Sequence, residues 1–111
     1  MKHVLAAATL AAASILALPV AADDVPTFEI TIKNHKFEPP TLEVPANKKI
    51  KLIVKNQDAT PEEFESYELN REKVIAGNSQ AIIFIGPLDP GTYPYFGEFN
   101  MATAQGKIIA K

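Results

Sequence analysis

The sequence predicts an all-β sandwich of seven to eight short strands, and three observations carry that prediction. From Thr27 onward Phe28, Ile30 and Ile32 alternate with Glu29, Thr31 and Lys33, the period of a strand with one buried face. No stretch beyond residue 22 keeps apolar residues at helical spacing for the roughly 11 positions a helix requires. Turn-forming residues recur between the apolar runs: Asn34 with Pro39-Pro40, Pro45-Ala46-Asn47, Gly77-Asn78 and Asp89-Pro90-Gly91.

Taken in order, the chain begins with a segment that does not belong to the sandwich. Lys2 and His3 precede an apolar run over 4–18, and Val20-Ala21-Ala22 sets small residues before Asp23. These are the three parts of a secretory signal peptide. The run is shorter than the roughly 20 residues of a spanning helix, and Pro19 interrupts it. The reading is therefore export and cleavage, with 1–22 removed, one domain over 23–111 and no membrane insertion afterwards. His3 leaves with the leader. Removing Lys2 takes the formal charge from −2 to −3, a mild acidity that gives nucleic acid no electrostatic footprint. The chain has no cysteine, which excludes a disulfide, a thiol nucleophile, a thiolate–zinc site and a thiolate–copper bond.

Strands are expected over 27–33, 42–44 and 49–55. The intervening 34–40 reads as a turn, because two prolines cannot sit inside a sheet ladder. Asp58, Glu62, Glu63, Glu65, Glu68 and Glu72 then gather six of the thirteen acidic residues into one belt. Charge so dense reads as a loop with a short irregular strand over 64–69. An extended piece follows at 73–76. The most β-prone run, 79–85, is expected to be a fully buried strand, and 92–96 and 106–111 complete the set. There is no internal repeat and no linker.

Two stretches carry chemistry. One is YPYFGEFNMATAQG over 93–106, a loop before the last strand holding Glu98, Asn100 and Met101; the other is DATPEEFE over 58–65. Loops on a rigid scaffold are where binding concentrates, and the two are expected to meet at one end of the sandwich as a metal site. Glu63 and Glu65 flank Phe64, so on an extended backbone both carboxylates face one side and the ring the other. Such a pair either coordinates a cation or forms a solvated face. His35, the one histidine left after cleavage, is either the imidazole ligand or an exposed loop residue. Met101 is a soft ligand or simple packing, and Glu98 lies toward the acidic loop. Tyr93, Tyr95 and Phe96 read as core and site wall, although a tyrosine can also relay an electron. Neither a Ser–His–Asp order nor a glycine-rich phosphate loop is present, so no hydrolase or transferase motif exists.

The phrase TLEVPANKKIKLIVKN, the following TP, the strand PGTYP and the terminal GKII resemble a cupredoxin over 28–111. That resemblance implies a Greek-key β-sandwich holding copper through a His after the third strand and a Cys…His…Met set in the last loop. Here Glu62 stands where the first His belongs, Gly97 where the Cys belongs and Asn100 near the second His, while Met101 is out of register with the axial Met. Glu63-Phe64-Glu65, FESYELNREKVI and GEFNMATAQG resemble the periplasmic cupredoxin-like proteins of ferrous-iron uptake systems. The cysteines that some of those proteins use are Phe37 and Gly97 here, so no thiolate site carries over. The resemblance implies copper and/or iron held among Glu62, Glu63, Glu65, Glu98, His35 and Met101. It further implies a periplasmic protein that binds Fe(II), assists its oxidation or hands it over, working with an iron permease complex and a periplasmic metal-binding partner. Two rivals stand beside it. One is a periplasmic electron-transfer cupredoxin, which the lack of Cys and the single His argue against; the other is a metal-free sandwich that binds a partner protein.

Overall fold

In the computed structural model, which describes residues 24–111, nine strands form two sheets around one core. The signal peptide expected over 1–22 lies outside the described residues. One sheet contains β1 (Thr27–Lys33), β2 (Lys36–Glu38), β4 (Ile50–Asn56) and β7 (Ser79–Ile85), in the order β2-β1-β4-β7. The other contains β3 (Thr41–Val44), β5 (Glu62–Ser66), β6 (Arg71–Ile75), β8 (Gly91–Gly97) and β9 (Gln105–Ala110), in the order β3-β9-β8-β5-β6. The pairs β1–β4 and β3–β9 are parallel and the remaining pairs antiparallel. The all-β sandwich expected from the alternation is thus the fold adopted. In β4 the period-two pattern is complete, with Ile50, Leu52, Val54 and Asn56 buried and the residues between them half-buried.

Three elements differ from the sequence expectation, each for a tertiary reason. Within the expected turn 34–40 the chain forms β2, because Asn34 and His35 both adopt left-handed φ, 54° and 58°, and close a two-residue hairpin. That turn is held from a distance: the Asp58 carboxylate accepts the Asn34 N–H at 2.8 Å and the His35 N–H at 2.9 Å. The His35 contact, reinforced by that of Asn34, holds the Asp58 acid below its ordinary value.

The acidic loop is also a strand. Residues 62–66 form β5, paired with β6 on one side and β8 on the other. Its inward polar side chains make this possible by finding partners. Ser66 donates to the Pro94 carbonyl at 2.8 Å and accepts the Leu69 N–H at 3.0 Å. Conversely β7, expected to be fully buried, is an edge strand on which Ile82 and Phe84 are 47% and 43% exposed. Lys49 covers part of this edge, its Nζ 4.6 Å from the centre of the Phe84 ring.

Under β5 and β8 the core is aromatic. Phe64 stacks on Tyr95 with ring centres 4.8 Å apart, and Phe37 meets Tyr95 edge-on at 4.9 Å. Tyr95 lies over Gly106, where a Cβ would come within 2.6 Å of the phenol oxygen. The buried Tyr95 hydroxyl has no hydrogen-bond partner among the described residues, and burial pushes its pKa up. A buried, unpaired hydroxyl destabilises a fold, whereas a phenylalanine of the same shape does not. Tyr95→Phe is therefore expected to raise stability by about 1 kcal/mol, read as a higher urea midpoint at unchanged slope; an unchanged or lower midpoint contradicts it.

Candidate metal centre

Strand β5 sorts its acids by alternation. Glu62, Phe64 and Ser66 face the core, and Glu63 and Glu65 lie half-buried on the outer face of the five-stranded sheet. The β5–β6 ladder sets Glu65 opposite Glu72 and Glu63 opposite Val74. Carboxylate oxygens of Glu63, Glu65 and Glu72 all lie within 4.8 Å of one another. From the other side comes the 3₁₀ turn Glu98–Asn100 that follows β8, and the charge of its exposed Glu98 acts on both Glu63 and Glu65.

Four acids so placed repel one another. The Glu63 pKa is raised, first by a hydrogen bond with Glu72, then by desolvation and by repulsion from Glu72, Glu65 and Glu98. Glu65 is raised first by desolvation, then by its contact with Glu98 and by repulsion from Glu72 and Glu98. No basic side chain neutralises them: the ion pairs among the described residues are Lys55–Glu29 and Lys111–Glu43. The nearby Arg71 donates to the backbone carbonyls of Phe84, Leu69 and Asn70. Oxygen donors at this spacing suit a hard or borderline divalent cation.

Of the residues expected at a metal, the fold brings Glu63 and Glu65 together and adds Glu72, while Glu98 acts on them from the following turn. Glu72 is not legible as a ligand along the chain, because only the β5–β6 register places it opposite Glu65; a hairpin drawn across 67–70 is the signal that points to it. Glu62 and His35 do not join this cluster. His35 sits in the β1–β2 turn, where its carbonyl accepts the Thr103 hydroxyl at 2.6 Å. Met101, 52% exposed, borders a shallow pocket of about 250 Å³ with Pro94, Phe96 and Gln105.

Glu62 points into the protein. It is 1% exposed. Its Oε1 accepts the N–H groups of Phe99 at 2.8 Å and Glu63 at 2.9 Å, and its Oε2 accepts Asn100 Nδ2 at 2.8 Å. A Cβ on Gly97 would lie 2.6 Å from the Glu62 Cδ. Glu62, Gly97 and Asn100, which the resemblance sets at or near three cupredoxin ligand positions, meet in space around the Glu62 carboxylate without any sulfur.

The Cupredoxin-like domain family matches residues 4–110. The chain belongs to that family. A relative of this cupredoxin-like domain, an uncharacterized protein of Rickettsia prowazekii (strain Madrid E), is 49% identical over 87 residues, which are 78% of this chain and 70% of the relative. Among solved structures, auracyanin A, a "blue" copper protein of Chloroflexus aurantiacus, superposes with a TM-score of 0.68 at 16% identity, covering 79% of this chain and all of that one. Amicyanin of Paracoccus versutus does so with a TM-score of 0.60 at 19% identity, covering 82% and 88%. At these identities the likeness is one of fold. The residues of this cupredoxin-like domain do not fit a blue-copper centre at the shared pole. Position 97 has no sulfur and no room for one, and N–H donors already engage both Glu62 oxygens.

Proposed function

We propose that this cupredoxin-like domain is an exported cation-binding protein whose site lies on the outer face of the five-stranded sheet instead of at the interior pole. The ligands are Glu63, Glu65 and Glu72, with Glu98 at the rim, and the ion is Fe(II) as cargo or Cu(II) in its place. One observation carries the reading: three carboxylates converge within 4.8 Å, and no ion pair among the described residues involves them. A divalent ion relieves that repulsion, and hydrated oxygen ligands release it readily, which suits capture and hand-over. The setting that accords with the Glu63-Phe64-Glu65 phrase is periplasmic ferrous-iron uptake, with delivery to a permease complex or a second metal-binding protein.

The test is calorimetric titration of the exported domain with Fe(II) under anaerobic conditions and separately with Cu(II). Binding of one ion per chain is expected. The copper-loaded protein should stay pale, because no cysteine is present to supply thiolate-to-copper charge transfer. Silence with both ions overturns the reading. An intense visible band on adding Cu(II) overturns it in favour of the electron-transfer cupredoxin. The metal-free, partner-binding alternative requires that neither ion raises the melting temperature, since a ligand of the native state must do so.

A further inference from the structure

We infer that the outer face of the four-stranded sheet is a docking surface for an anionic lipid bilayer, built as an apolar centre inside a rim of lysines. It is independent of the cation site, which lies on the other sheet.

Strand alternation makes the face. Leu52, Val54, Ile83 and Ile85 turn into the core, so Lys51 and Ile53 of β4 and Ile82 and Phe84 of β7 turn outward. The β4–β7 register sets Lys51 opposite Phe84 and Ile53 opposite Ile82, which gathers the apolar side chains into one block. Lys49 reaches over its end, with Nζ 4.6 Å from the centre of the Phe84 ring. By the same alternation Lys33, Lys36 and Lys55 stand on this face. The acids among them are Glu29 and Glu38, and Glu29 is paired with Lys55 at 3.2 Å. The face therefore carries an excess of lysine although the chain as a whole has a formal charge of −2.

That chemistry selects the partner. Lysine stems lie along apolar surface and keep their ammonium groups outward, and an apolar, aromatic centre rimmed by lysine suits the headgroup level of an anionic membrane. Each lysine brought near such a surface strengthens binding about fivefold. Two of these faces laid together would set lysine against lysine, which disfavours a symmetric dimer through this sheet. The point of chain entry agrees. The Pro26 carbonyl accepts the Lys51 N–H at 2.9 Å, so with 1–22 as the leader that crosses the bilayer during export, this face emerges within a few residues of the lipid. At the other end of the face an open cavity of about 510 Å³, lined by Lys55, Gln57, Asn78 and Gln80, offers ammonium and amide donors to a phosphate headgroup. Docked in this way, the domain turns the acids of β5 and β6 away from the bilayer.

The experiment is co-sedimentation of the metal-free mature protein, in chelator, with vesicles of phosphatidylglycerol and phosphatidylcholine in equal parts and with vesicles of phosphatidylcholine alone. Binding to the anionic vesicles only is expected, with release by sodium chloride. Lys49→Glu with Lys51→Glu should weaken it by at least about tenfold, and Phe84→Ser should weaken it at unchanged charge. Lys73→Glu with Lys107→Glu makes the same charge change on the other sheet and should stay near the wild type. No binding to the anionic vesicles, or equal loss in the two double variants, overturns the inference. Inorganic phosphate that releases the protein where sodium chloride of equal ionic strength does not would assign an ion site and overturns it too. So does self-association without vesicles that Lys49→Glu with Lys51→Glu abolishes, which gives the face to a second copy. If that charge-reversed protein does not fold, the salt dependence of the wild type and the Phe84→Ser protein decide. Because no metal is present, each of these outcomes leaves the proposed cation binding untouched.

Discussion

Replacing Glu62 by alanine should lower the stability of the domain by about 3 kcal/mol, roughly 12–24 °C in melting temperature for a domain of this size. The loss comes from what is left behind. Three donors, the Phe99 and Glu63 N–H groups and the Asn100 amide, lose their acceptor in a region where Glu62 is 1% exposed. A buried donor without a partner costs about 1–3 kcal/mol, and water entering the vacated space recovers part of that. Glu62→Gln should cost clearly less, because its carbonyl oxygen serves Phe99 and Glu63 and the Asn100 amide can turn over. Denaturant unfolding of the three proteins checks this. A loss below 1 kcal/mol for the alanine variant would mean that the turn holds itself.

The second large effect concerns affinity. Glu63→Gln with Glu65→Gln should weaken binding of Fe(II) or Cu(II) by at least about a hundredfold, since two of the three converging carboxylates are gone and each tenfold is about 1.4 kcal/mol. In the absence of metal the same double variant should be more stable at neutral pH than the wild type, because mutual repulsion is removed. A purely structural pair of glutamates cannot move affinity and stability in opposite directions, so calorimetry and unfolding measured side by side decide the matter. Equal affinity in both proteins would show that the ion sits elsewhere.

Glu63 and Glu65 are raised above 4.5 in the fold, so their contribution to stability is present below that value and is lost as pH rises through the folded midpoints. Asp58 is the opposite case. Its acid is lowered from 3.8, so its hold on the β1–β2 turn is complete above that value and is lost as pH falls through the folded midpoint. Metal-free protein should therefore be most stable in mildly acidic solution, between the two losses. Cation affinity should fall as the medium is acidified toward 4.5, earlier than for ordinary carboxylates, since the ion must displace protons that the cluster holds more firmly.

Much of this was legible along the chain. Alternation in 27–33 and 49–55 establishes strands with one buried face, and the facing of Glu63 and Glu65 away from Phe64 follows from the strand period alone. The missing sulfur is likewise a matter of composition, and it closes off thiolate–copper chemistry wherever the chain folds. Other features depend on pairing between distant segments. Glu72 joins the cluster through the β5–β6 register. The hairpin that makes β2 depends on a carboxylate more than twenty residues away. Residues 79–85 look like a central strand by composition but end at a sheet edge.

The sequence by itself determined the class of fold, the chemistry available to it and which β5 acids share a face, because each of these depends on residue type and on a local period of two. That Glu62 is an internal clasp and that Glu72 is a member of the outer cluster came from the folded chain alone. Those roles depend on which backbone N–H groups and which opposing strands lie within reach of a side chain, and long-range sheet register settles that.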